Sequence, residues 1–281
     1  AELRQREVGT HLANGLNALE AGQLLPALPS FVEALRLDHP ARADHHRLRL
    51  GMTLEQCPKL LRMWLEPGQL TDGQFSSDGR LVVLATLKNK VQVKDLQTGE
   101  LVGTPVGHAW FTDRAAFSPD GQRVLTACQN RRADLWDWRT GEALLTLHHS
   151  NSVMGARFSP RGDKIATACA DHAGYLWDAR TGQLLFRLTE HSQGVLDVAF
   201  SHNGTKLATV GRDQLALIWD AHTGALLTQK LPHESWVYGA AFSPDDRRLA
   251  TACFNNTAHV WDAVSGQEVM PPLVHADAVV S

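Results

Sequence analysis

The sequence predicts an all-β fold, a β-propeller with five recognisable blades plus the start of a sixth, preceded by a small α-helical segment. Three observations carry that expectation. Trp-Asp pairs at Trp136, Trp177, Trp219 and Trp261 are separated by 41, 42 and 42 residues, and a period of about 40 to 45 residues is the signature of propeller blades. Other landmarks keep the same register: a histidine 28 residues before each tryptophan, a threonine ten before it, and an Asp or Asn six before it. Between these landmarks lie short runs of β-branched and large apolar residues separated by turn signals.

The helical segment comes first, over 1-58. Leu12, Leu16 and Leu19, then Leu24, Leu28, Phe31, Val32 and Leu35, recur at three- and four-residue steps on either side of Gly22, which predicts a helix hairpin. A third helix is expected over Ala43 to Gln56, with Asp44 near its cap. His39, Asp44, His45 and His46 have no metal-ligand spacing and are read as a solvated helix start. Gly15, Gly22, Ala27, Phe31, Ala34 and Pro40 resemble a single tetratricopeptide-type repeat. Such units need about three copies to stand alone, so the segment is expected to act as a cap or spacer on the propeller.

The propeller follows over 59-281. A degenerate first blade (about 65-107) keeps Phe75-Ser76, Asp78-Gly79, Asp95 and Thr98-Gly99, but has Glu66, Leu84, Lys88 and Lys94 at the four landmark positions. Just before it, Leu60 to Leu65 sits where later repeats carry an outer strand. The next blades are 108-148, 149-190, 191-232 and 233-274, and 275-281 opens a sixth, with His275 and Val279 matching His191 and Val195. In the best-preserved unit the expected strands are Val195–Phe200, Lys206–Val210, Leu215–Trp219 and Leu226–Gln229. A lone blade would expose both faces, so blades must stack around an axis. The ring is left unfinished, and the opening alanine points the same way, so the native chain is expected to continue beyond this sequence.

The landmarks fall into four sets: His108, Thr126, Asn130 and Trp136; His149, Thr167, Asp171 and Trp177; His191, Thr209, Asp213 and Trp219; His233, Thr251, Asn255 and Trp261. A Thr-His-Asp grouping suggests a catalytic triad, yet four copies in four blades cannot each be an active site. Each set ends instead on an indole N–H, which can only donate. The expected arrangement is a hydrogen-bonded brace, Trp to Thr to His to Asp, which satisfies buried polar groups and is uncharged where Asn130 and Asn255 replace the acid. These residues resemble, position by position, the structural tetrad of the WD40-repeat family.

Composition narrows the function. The net charge is -3 with both signs interspersed, which offers no footprint for nucleic acid, and no apolar run is long enough to span a membrane. Cys57, Cys128, Cys169 and Cys253 lack metal-ligand spacing, and three occupy one repeat position, so they read as buried thiols of a reducing, cytoplasmic compartment. No cofactor motif is present in the sequence.

In propellers of this kind, partners bind at the rim where each blade's first strand begins. The residues there are Phe111 and Asp113, Ser152 and Met154, Gly194 and Leu196, and Trp236 and Tyr238, with Gln129, Ala170, Arg212 and Phe254 before the acid or amide. Trp236, Tyr238, Phe254, Arg212, Met154 and Phe111 form the candidate partner-binding rim, because aromatics and arginine dominate interface energetics. The helix pair, Cys57-Pro58, the LLRMW stretch and the FSPDG and TGE turns are similar to the C-terminal region of planctomycete-type bacterial serine/threonine kinases with WD repeats. That resemblance implies a kinase domain upstream, since this chain has no phosphate loop and no HRD or DFG segment. The expected function is a non-enzymatic scaffold for a protein or peptide partner. The alternatives are a propeller enzyme using Asp113, Asp197 and Arg157 on the axis, and a spacer with no partner of its own.

Overall fold

The structure, a computed structural model, describes residues 2–20, 24–38, 45–47, 50, 52, 70–86, 90–107 and 112–279. The chain divides into two compact units, Ala1–Leu65 and Glu66–Ser281.

In the first unit α1 (Glu2–Glu20) packs against α2 (Leu24–Leu37). Phe31 is fully buried and lies against Gly15, where a Cβ would come within 2.5 Å of the ring. The glycine therefore sets how closely the helices approach. Alanine at Gly15 would gain helix propensity of about 1 kcal/mol, but overpacking a ring with nowhere to move costs about 1–3 kcal/mol. Gly15→Ala is thus expected to lower the thermal midpoint of the helical circular dichroism signal. Helical backbone recurs at 45–47, 50 and 52, and His46 is buried with Nε2 2.7 Å from Asp38 Oδ2. The sequence reading had this histidine solvated; its carboxylate partner is what permits the burial. His39, Asp44, Gly22, Cys57 and the expected strand over Leu60 to Leu65 lie outside the described residues.

The second unit is all β, built from five four-stranded antiparallel sheets. Blade 1 comprises β1 (Leu70–Phe75), β2 (Leu81–Thr86), β3 (Lys90–Asp95) and β4 (Leu101–Gly107). Blade 2 comprises β5 (Thr112–Phe117), β6 (Arg123–Cys128), β7 (Arg132–Asp137) and β8 (Glu142–His148). Blade 3 comprises β9 (Val153–Phe158), β10 (Lys164–Cys169), β11 (Gly174–Asp178) and β12 (Leu184–Leu188). Blade 4 comprises β13 (Val195–Phe200), β14 (Lys206–Gly211), β15 (Leu215–Asp220) and β16 (Leu231–Pro232). Blade 5 comprises β17 (Val237–Phe242), β18 (Arg248–Cys253), β19 (Thr257–Asp262) and β20 (Leu273–Val274).

One boundary differs from the sequence reading. The outer strand of blade 4 is the pair Leu231–Pro232, registered on Ala216 and Leu215, while Leu226 makes a single bridge to Trp219. The segment between leaves the ladder and returns.

The core lies between the blades. Small residues on one face, such as Ala208, Val210, Ala216 and Ile218 of blade 4, meet Val237, Phe242, Leu249 and Trp261 of blade 5, and equivalent clusters join blades 1 and 2, 2 and 3, and 3 and 4. The inner strands β1, β5, β9, β13 and β17 pack side by side in that order about an axis. Each carries a bulge at its second residue: Thr71, Asp113, Met154, Leu196 and Tyr238 are skipped in the pairing. A bulge turns its extra residue away from the ladder, which is how the rim positions are aimed.

The turns explain most of the remaining pattern. The aspartate of each Trp-Asp pair accepts the N–H groups two and three residues on, as Asp178 does from Arg180 and Thr181 at 3.0 and 2.8 Å. The Gly of the Asp-Gly turns has φ near +70°, and in the last copy Asp246 takes that place at φ 57. Its carboxylate accepts the backbone N–H groups of His202 and Asn203 in the neighbouring blade at 2.6 and 2.9 Å, which offsets the backbone strain.

Candidate functional site

Blade 4 holds a complete chain of hydrogen bonds. Trp219 Nε1 donates to Thr209 Oγ1 at 2.9 Å, Thr209 Oγ1 lies 2.8 Å from His191 Nε2, and His191 Nδ1 is 2.9 Å from both oxygens of Asp213. The acceptor at the far end fixes the protons: Nδ1 carries hydrogen toward the carboxylate, and Nε2 accepts from the threonine. Burial alone would push the Asp213 carboxyl up; the hydrogen bond from His191 and the N–H of Ser192 hold it below the ordinary carboxylate value. Ser192 begins the loop into β13, so the chain ties that loop to β14 and β15.

The other blades depart from the expected four-membered brace. His149 and His233 each reach their threonine at 2.8 Å, and Trp177 and Trp261 donate to the same hydroxyls at 3.0 and 3.1 Å. Their Nδ1 atoms, however, turn back to the carbonyls of Leu147 and Leu231, both at 3.0 Å. Asp171 instead accepts from Ser150 and from the Tyr175 hydroxyl, and Asn255 Oδ1 accepts from Thr257. In blade 2, Trp136 donates to Thr126 at 3.0 Å, while Asn130 Oδ1 is buried without a hydrogen bond among the described residues. His108 lies outside them.

The residue two before each tryptophan accounts for the difference. It shares a strand face with the indole. Where it is Tyr175 or His259, its ring meets the histidine edge to face at 4.9 Å, and it brings polar atoms of its own. Tyr175 takes Asp171, and His259 bonds Thr257 and Glu268 at 3.0 and 2.7 Å. In blade 4 that residue is Leu217, which is apolar and leaves Asp213 to His191. Spacing identified the four landmark residues but not this fifth one. Its signal was a polar residue on a buried strand face.

Charge follows packing. Burial pushes His149 and His233 down to about 4, with His259 adding to the effect on His233. Burial pushes the Cys128 and Cys169 thiols up to about 12 and Cys253 to about 11, so all three are inert at neutral pH. No cluster of three or more metal-ligating side chains occurs among the described residues.

At the rim, Trp236, Tyr238 and Phe254 of blade 5 form one aromatic group, with ring centroids 5.9 to 6.5 Å apart. The Arg212 guanidinium, from blade 4, lies 5.3 Å from the centre of the Trp236 ring. Trp236 is 39% exposed and Phe254 53%, whereas Tyr238 and Met154 are half-buried. Phe111 lies outside the described residues. A backbone bond from Phe254 N–H to the Trp236 carbonyl at 3.0 Å sets two of the rings on adjoining turns.

The repeats match the family described as WD domain, G-beta repeat over residues 99–137, 141–178, 182–220 and 226–262. The chain belongs to the WD40-repeat family. Each WD40 match ends on a Trp-Asp pair and starts one strand before a blade, so that residues 99–137 contain β4 of blade 1 and three strands of blade 2. WD repeats as a class mediate protein–protein interaction and are typically non-catalytic. A serine-threonine kinase receptor-associated protein from Dictyostelium discoideum is 29% identical over 90 residues, 31% of each chain. The present chain thus spans about a third of that relative. The crystal structure of the computationally designed Ika8 protein aligns with a TM-score of 0.67 at 23% identity, over 76% of this chain and 64% of that one, a likeness of fold alone. No helix among the described residues is long and apolar enough to cross a membrane.

Proposed function

We propose that this WD40 chain is a non-enzymatic scaffold that presents the rim of blades 4 and 5 to a protein or peptide partner. The observation that carries this reading is the group of Trp236, Tyr238 and Phe254 beside Arg212: aromatic surface left exposed next to a cation on a braced frame. Residues of these types supply most of the energy in protein interfaces, and the complete hydrogen-bonded set of blade 4, with the Trp-Thr-His set of blade 5 beside it, serves as the brace that holds this rim. The helical segment is a tetratricopeptide-like cap, and the whole is the regulatory or targeting region of a larger cytoplasmic bacterial signalling protein. A serine/threonine kinase domain is the attached enzyme this reading favours, and nucleic acid is not a partner.

The test is comparative capture. The double variant Trp236→Ala, Arg212→Ala is expected to weaken partner retention at least tenfold, on the order of 2 kcal/mol for a hot-spot pair, with an unchanged thermal midpoint. Arg161→Ala, far out on an exposed turn with 67% of its side chain accessible, is expected to retain the same partners as the parent. Equal retention by the folded double variant would overturn the rim as the binding surface.

A further inference from the structure

Arg212 is exposed, and its guanidinium is held by a ring alone. It lies 5.3 Å from the centre of the Trp236 ring and makes no hydrogen bond or ion pair among the described residues, so none of its five donors is used there. Three charged side chains stand in the turns that carry the aromatic group, 212–214, 234–238 and 254–256: Arg212, Asp213 and Glu234. Asp213 is committed, its oxygens taken by His191 Nδ1 and by the N–H of Ser192, both at 2.9 Å. Glu234 is exposed and makes no ion pair among the described residues. The cation is thus fixed by stacking and has no acid of its own.

The aromatic surface stays open even where the chain runs on past blade 5. After β20 the backbone follows the path of the repeat before it: His275 N–H donates to the Asn256 carbonyl at 2.8 Å, as His233 does to Gln214, and Val279 N–H donates to the Cys253 carbonyl at 3.1 Å. Ala278 therefore stands where Trp236 stands one repeat earlier, and with it in place Phe254 is still 53% exposed.

A partner that covers Trp236 and Phe254 takes Arg212 out of water with them. A charge buried without a counterpart is strongly unfavourable, so the covering surface must bring an acceptor to the guanidinium. A carboxylate fits that planar fork in charge and in geometry. A phosphate is the poorer match, because phosphate recognition draws on clusters of arginines and these turns hold one. We propose that the rim accepts an acidic peptide segment, with an Asp or Glu carboxylate on Arg212 and a large apolar neighbour on Trp236 and Phe254. This rests on the rim being the binding surface and names what that surface selects.

A random dodecapeptide display library, panned on the full 281-residue chain, supplies the probes. Recovered peptides are expected to carry Asp or Glu beside a large apolar residue, and a chosen peptide to bind at least tenfold more tightly than its Asn or Gln counterpart. Arg212→Gln should bind the acid and amide peptides alike, and Arg212→Glu should recover peptides with Lys or Arg in place of the acid. Both substitutions fall on an exposed side chain, so the thermal midpoint should stay at the parent value. Glu234→Gln should leave the preference for the acid in place. Peptides that lose at least tenfold on Trp236→Ala, yet bind equally as acid and amide, would overturn the acidic segment and leave the rim standing. Peptides indifferent to Trp236→Ala, or no saturable binding at all, would overturn the rim and this inference together. A preference for the acid that emerges only in Glu234→Gln would make Glu234 the internal partner of Arg212 and overturn the proposal.

Discussion

Replacing Thr209 by valine is expected to destabilise the propeller unit by about 3 kcal/mol. The change keeps the shape of the side chain and removes one hydroxyl, which holds Trp219 Nε1 at 2.9 Å and His191 Nε2 at 2.8 Å. Both groups are nearly sealed from water, at 4% exposure for each residue, so neither can recover its bond from solvent. A buried polar group left without a partner costs about 1–3 kcal/mol, and here there are two. For a unit of this size that corresponds to about 6–12 °C in thermal midpoint. Trp219→Phe removes the donor that Thr209→Val strands, so the double variant should fall short of the sum of the singles. A midpoint for Thr209→Val within about 1 °C of the parent would remove the network as a source of stability. Blade 1, with Leu84 and Lys94 at the threonine and tryptophan positions, shows that packing between blades can hold a sheet without the network.

Stability should also fall steeply as pH drops from about 6.5 to about 4. His149 and His233 are held down to about 4 in the folded chain, against 6.5 for an exposed histidine. Between those values the unfolded chain binds more protons than the folded one, so the free energy of unfolding rises with pH across the window and is lost on acidification. A shift of that size is worth about 3 kcal/mol per histidine, an upper figure for His149, which keeps partial access to water. Urea midpoints measured from pH 7.5 to 4.5 check it. The parent should show a slope approaching two protons in mid-window, and His233→Asn a slope smaller by about one. A flat profile would mean that both imidazoles protonate without opening the fold.

The blades were legible because turn chemistry and the Trp-Asp period repeat, and a pattern written four times survives local irregularity. The landmark residues were legible for the same reason. Their partners were not, because hydrogen-bond choice is decided by a neighbour across the strand face: Tyr175 draws off Asp171, His259 crowds His233, and Leu217 leaves His191 and Asp213 to each other. Spacing cannot register that competition. The outer strand of blade 4 was misplaced because Leu226 and Leu231 are equally apolar, and the choice between them rests on pairing to β15, which is a property of the sheet and not of the segment. The bulges at Met154 and Tyr238 were invisible in the sequence, since a skipped residue leaves no mark on an alternating pattern.

Each sheet is made of four consecutive strands of the chain, so no ladder hydrogen bond crosses from one blade to the next. Neighbouring blades are joined by packed apolar faces and by the segment that runs between them. The arc is therefore strong along its sheets and weak across its seams. A load applied at one end would part blade from blade before it drew a strand out of any sheet.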